Sequence, residues 1–64
     1  MTVKTSRGNI TANKDLLNWL SVALYKAADD CRTNDKLGLA TDFDKMSDDI
    51  FNALAATGYY KKVS

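Results

Sequence analysis

The sequence predicts an all-α fold, an antiparallel two-helix hairpin with an extended N-terminal arm, and three observations point to it. Leu16, Leu20, Ala23, Leu24, Ala27 and Cys31 recur at three- and four-residue steps, with Leu17 and Ala28 widening the stripe. That is the period of a helix with one buried face. Phe43, Met46, Ile50, Ala53, Leu54 and Thr57 repeat it and supply a facing stripe. Residues 1–12 carry no such period.

The arm contains Gly8 and the β-branched Val3, Thr5 and Ile10, which suit an extended or mobile segment, and it is basic through Lys4 and Arg7 with no acid. Thr11 or Asn13 can cap the first helix, and Asp15 suits its positive end. The first helix is expected over about residues 13–34. It closes either with Asn34 in the left-handed position after Thr33 or by running on to Gly38. An end between 32 and 37 leaves Leu37 and Leu39 in the turn, covering the open end of the hairpin. Thr41 with Asp44 three residues later resembles a capping box, which starts the second helix at Asp42. That helix stops at Thr57, because Gly58 enters the left-handed region cheaply and Tyr59 then packs against Leu54. The chain divides into a basic arm, 1–12, and a helical hairpin domain, 13–64. Its expected core is Leu16, Leu20, Leu24, Ala27, Met46, Ile50 and Leu54.

A chain of 64 residues holds at most one domain, and its 45% hydrophobic content is that of a globular protein. Below roughly 70 residues one core seldom suffices without a disulfide, a metal or a partner subunit. Cys31 is the only cysteine and there is no histidine, so an internal disulfide is excluded and a zinc site is implausible. Self-association remains, most simply two hairpins forming a dimeric four-helix bundle. No apolar run is long enough for a membrane span, and the first residues lack the apolar core of a signal peptide, so a cytoplasmic location is expected. Cys31 on the apolar stripe reads as a small buried hydrophobe in a reducing compartment.

The net charge of +1 hides a segregation. Lys4, Arg7, Lys14, Lys61 and Lys62 against Asp15 give +4 where helix 1 begins and helix 2 finishes. Asp29, Asp30, Asp35, Asp42, Asp44, Asp48 and Asp49 against Arg32, Lys36 and Lys45 give −4 around the turn. Asp42 and Asp44 at the start of helix 2, and Lys61 and Lys62 after its end, complement its dipole. Lys14, Asp29 and Asp30 oppose the dipole of helix 1 and need another reason.

Chemistry-bearing motifs are scarce. Asp42, Asp44, Asp48 and Asp49 do not make a calcium loop, since Met46 and Ser47 occupy its fifth and sixth positions and the chain has no glutamate. With neither histidine nor glutamate, and no phosphate-binding glycine loop, the residues favour a non-catalytic protein with no cofactor and no metal. The order of a basic extended arm and two helices resembles that of ribbon-helix-helix repressors, in which two arms pair into a ribbon that enters the major groove. That resemblance rests on element order alone and implies Lys4, Arg7, Lys14, Lys61 and Lys62 as the nucleic-acid contact. Against it, Asp42, Asp44, Asp48 and Asp49 would repel the phosphate expected at the start of helix 2. The preferred reading is a small homodimeric protein-binding or regulatory module. Its partner surface comprises Trp19, Val22, Tyr25, Phe51, Tyr59 and Tyr60, because two helices bury only part of so many large side chains. A bacterial or phage accessory protein would suit a chain of this size.

Overall fold

In a computed structural model, which describes residues 1–61, the first twelve residues form a second hairpin, made of strands. Strand β1 (Thr2–Thr5) and strand β2 (Gly8–Thr11) pair antiparallel, with Thr2 opposite Thr11, Val3 opposite Ile10, Lys4 opposite Asn9 and Thr5 opposite Gly8. The two-residue turn, Ser6 and Arg7, leads into Gly8 at φ 115°, a value that glycine reaches without a Cβ clash. Thr5 locks the turn, its hydroxyl donating to the Gly8 carbonyl at 2.6 Å and accepting from the Arg7 amide at 3.2 Å. Alternation then sorts the side chains. Val3 and Thr5 are buried against the helices, while Thr2, Lys4, Asn9 and Thr11 face outward. The expected arm is extended, as its β-branched residues suggested, but it pairs with itself and contributes Val3 to the core.

Helix α1 (Lys14–Thr33) starts at Asn13, whose side chain accepts from the Leu16 amide at 2.8 Å. It closes in a Schellman motif: the Asp35 amide bonds the Arg32 carbonyl and the Lys36 amide bonds the Cys31 carbonyl. The left-handed residue is Asp35, φ 61°, one position beyond the Asn34 that the sequence suggested.

Helix α2 (Leu37–Ala56) begins at once, five residues before the expected Asp42. Thr41 does not cap it; its hydroxyl donates to the Leu37 carbonyl at 3.0 Å from inside the helix. Leu37 and Leu39 therefore ride on the first turn of α2, exposed, instead of sealing the loop. Asp42 and Asp44 lie beyond the first turn, so the dipole account of them fails as well. The C-terminal end matches expectation. Gly58 sits at φ 81°, its amide bonds the Ala55 carbonyl, the Tyr59 amide bonds the Leu54 carbonyl, and Tyr59 packs on the core.

The helices form an antiparallel pair with the β-hairpin against one side. Val3, Leu17, Ile50 and Leu54 make the central cluster, and Ile10, Ala12, Leu20, Leu24, Ala53 and Tyr59 pack around it. The buried stripe of α1 is Leu17, Ser21 and Ala28, one position round from the expected one, and Leu16 is 51% exposed. Small residues cause the rotation. Ser21 and Ala28 of α1, with Ala40 and Ser47 of α2, are the buried residues that let the helices approach closely, and the Ser47 hydroxyl donates to the Ser21 carbonyl at 2.8 Å. Every buried polar side-chain atom among the described residues has a hydrogen-bond partner.

Candidate interaction surface

The β-hairpin packs on α2 through β1, and the side of the helix pair that carries Val22, Tyr25 and Phe51 is bare. The molecule measures 39 × 28 × 15 Å, and its thin dimension exceeds one helix diameter by little. On the bare side, Ser21 and Ser47 form the floor of an open groove of about 320 Å³, walled by Val22, Tyr25, Phe51 and Asp48. Val22 is 51%, Tyr25 57% and Phe51 48% exposed. These three are half-uncovered for want of a neighbour and not because they project from a loop, since all lie within helices.

Tyr59 and Tyr60 close one end of this surface. The Tyr60 ring stacks on Phe51 with centroids 4.9 Å apart and meets Tyr59 edge-on at 5.1 Å. Their hydroxyls cross to α1, Tyr59 donating to Asp15 at 2.6 Å and Tyr60 to Asn18 at 2.7 Å. The bond to Asp15, helped by partial desolvation, holds the Tyr59 phenol above its ordinary pKa. Of the six residues that the sequence nominated for a partner, the structure gathers Val22, Tyr25, Phe51 and Tyr60 around the groove. Tyr59 is half-buried and fastens the end of α2 to α1. Trp19, at 65% the most exposed large apolar side chain among the described residues, does not line the groove. Ser21, Ser47 and Asp48 join the groove without having been nominated from the sequence, although two serines inside apolar stripes are a signal for close helix contact.

The nominated basic residues are not all at one end. Arg7, in the strand turn, reaches Asp42 at 2.6 Å, on the acidic half of α2. Lys4 stands on the outward face of β1 and Lys14 opens α1. Lys61 follows Tyr60 and so shares the end of Lys14; Lys62 lies outside the described residues. Three of the acidic residues, Asp29, Asp42 and Asp44, have arginine partners that the sequence did not reveal. Arg32 bonds Asp29 and Asp44, each at 2.6 Å, tying the end of α1 to α2, and these bonds raise its already high pKa further.

Among the described residues no three metal-ligating side chains converge, and no helix is long and apolar enough to cross a membrane. No protein-family model matches the chain, and neither a curated protein nor a solved structure matches it.

Proposed function

We propose that the chain is a small non-catalytic protein-binding or regulatory module that works as a homodimer, two helical hairpins joining in a four-helix bundle, in a cytoplasmic setting where Cys31 stays a thiol. The observation that supports this is the bare helical side with Val22, Tyr25 and Phe51 half-exposed around a groove. Aromatic side chains carried on rigid helices supply contact area at little entropic cost, and they are the residues on which interface energy concentrates. Sedimentation equilibrium tests the homodimer: a mass of two chains at micromolar concentration is expected, and a folded monomer there refutes it. The binding role is tested with a Trp19→Ala, Tyr25→Ala variant checked for folding and for dimerisation. It should lose a protein that the wild-type chain captures from lysate.

The ribbon-helix-helix reading has one observation in its favour. The outward face of the β-ribbon offers Thr2, Lys4, Asn9 and Thr11, and a two-stranded ribbon is an element that the major groove admits. Against it, Arg7 is held by Asp42, and both strands come from one chain. Duplex binding at micromolar concentration and physiological salt, abolished in a Lys4→Ala, Arg7→Ala variant, would overturn the preferred reading.

A further inference from the structure

The bare side has an order along its length that names its occupant. On α1 the positions Lys14, Asn18, Ser21, Tyr25, Asp29 and Arg32 follow at four- and three-residue steps and share one stripe. On α2 the matching stripe is Asp44, Asp48, Phe51 and Ala55. Three observations bring these stripes together on one side of the helix pair: Ser21, Tyr25, Asp48 and Phe51 line one groove, Arg32 reaches Asp44, and Tyr60 reaches Asn18. Val22, Tyr25 and Phe51 hold the middle, with Asp48 beside them. At one end stand Asp29 and Asp44 against Arg32, a charge of −1, and at the other Lys14 and Lys61 against Asp15, a charge of +1.

We infer that this side is the seat of a second copy of the chain, packed face to face with its helices antiparallel to those of the first. The proposal rests on the homodimer reading above and specifies its surface and orientation. Antiparallel placement lays α1 over the partner's α1. It sets Lys14 and Lys61 of each copy toward the acidic end of the other, whereas a parallel placement stacks acid on acid and base on base. A twofold axis needs a self-complementary surface, and a face with opposite charges at its two ends and apolar side chains between meets that need. The arrangement also supplies a reason for Lys14, whose charge opposes the dipole of its own helix. The area is of the right order. With aromatic side chains of ~150–250 Å² each, half-exposed Tyr25 and Phe51, joined by Val22 and Tyr60, offer a few hundred Å² of apolar surface, and the polar stripe residues extend it toward the ~800 Å² per partner of a stable interface. Both β-hairpins then lie on the outside, and Trp19 stays at the margin.

The test combines mass with position. In a Cys31→Ser background, Val22→Cys should form an intermolecular disulfide rapidly, because α1 crosses its partner near that level, whereas Leu37→Cys, at the far end of α2, should not. Tyr25→Lys and Phe51→Lys, each shown folded by circular dichroism, should weaken dimerisation by at least about tenfold, and Trp19→Ala by less than about threefold. Lys14→Asp should weaken it and the added Asp29→Lys should restore it. A wild-type monomer overturns both this inference and the homodimer reading. A wild-type dimer that is indifferent to Tyr25→Lys and Phe51→Lys overturns the inference and leaves the homodimer standing. A dimer sensitive to those two but lacking the Val22 disulfide or the charge restoration overturns the antiparallel placement.

Discussion

Replacing one leucine or its neighbour in α1 should have very different consequences. Leu17 is fully buried beside Val3, Ile50 and Leu54, so Leu17→Ala should cost about 2–5 kcal/mol in urea unfolding. Leu16, half in solvent, should cost less than about 1 kcal/mol on the same change. Tyr59 gives a second test at this scale. Its raised pKa means that the folded state holds the phenolic proton more tightly than the unfolded chain does. The stability contributed is therefore complete below about pH 10, the unfolded value, and is lost as pH climbs through the higher folded value. Thermal melts followed from pH 9 to 11.5 should fall more steeply for the wild type than for Tyr59→Phe. The sequence could not separate Leu16 from Leu17, since both lie on an apolar half of α1 more than 100° wide. What decides between them is the seam of small residues, Ser21 and Ala28 against Ala40 and Ser47, a choice made by two helices together.

At the scale of elements, the start of α1 at Asn13 and the end of α2 at Gly58 were legible, and the start of α2 was not. Gly58 declares the end of α2 because few other residues accept φ 81° cheaply, and Gly58→Ala should cost about 1–2 kcal/mol. The start of α2 was hidden by Thr41, a good capping residue in sequence that the structure uses elsewhere. Once Asp35 has turned the chain within the Schellman motif, helical geometry is already available from Leu37 onward. The strand hairpin was hidden for a related reason. Ser6-Arg7 is not the Asn-Gly or Asp-Gly that marks a two-residue turn, although Val3 and Ile10 stand equally far from it and could have been read as a cross-strand pair. Its place in the fold makes a prediction: Val3→Ala should destabilise the whole domain by about 1.5–3 kcal/mol, with strand and helix signals lost together. Asp42→Asn, which removes only an exposed ion pair with Arg7, should cost less than about 1 kcal/mol.

For the whole molecule, the governing fact is that its covering is one-sided. A sheet of two short strands packs on α2, and in a molecule 15 Å thick no further layer covers the side that carries Val22, Tyr25 and Phe51. The candidate surface was half legible in the sequence. Val22, Tyr25, Phe51 and Tyr60 were identifiable as apolar side chains in excess of what two helices bury, but their grouping around Ser21 and Ser47, apart from Trp19, required the tertiary arrangement. The charge segregation was visible, yet its internal pairs were not, because Arg7–Asp42 and Arg32–Asp44 join residues that are distant in sequence. If the proposed homodimer forms, dissociation is coupled to unfolding, and the melting temperature should rise with protein concentration over a hundredfold range. A concentration-independent melt would argue for a self-sufficient monomer.

Val3 touches a core completed by Ile50 and Leu54, and that bears on how the protein comes into being. A ribosome releases the strands and α1 first, and they have nothing to close upon until the last turns of α2 emerge. Closing so long a loop costs entropy that only the finished core returns. Until then the nascent chain displays Leu17, Leu20 and Leu24 to its surroundings, so synthesis stalled before residue 50 should yield a fragment that depends on chaperones, and release past Leu54 should let it fold in one step.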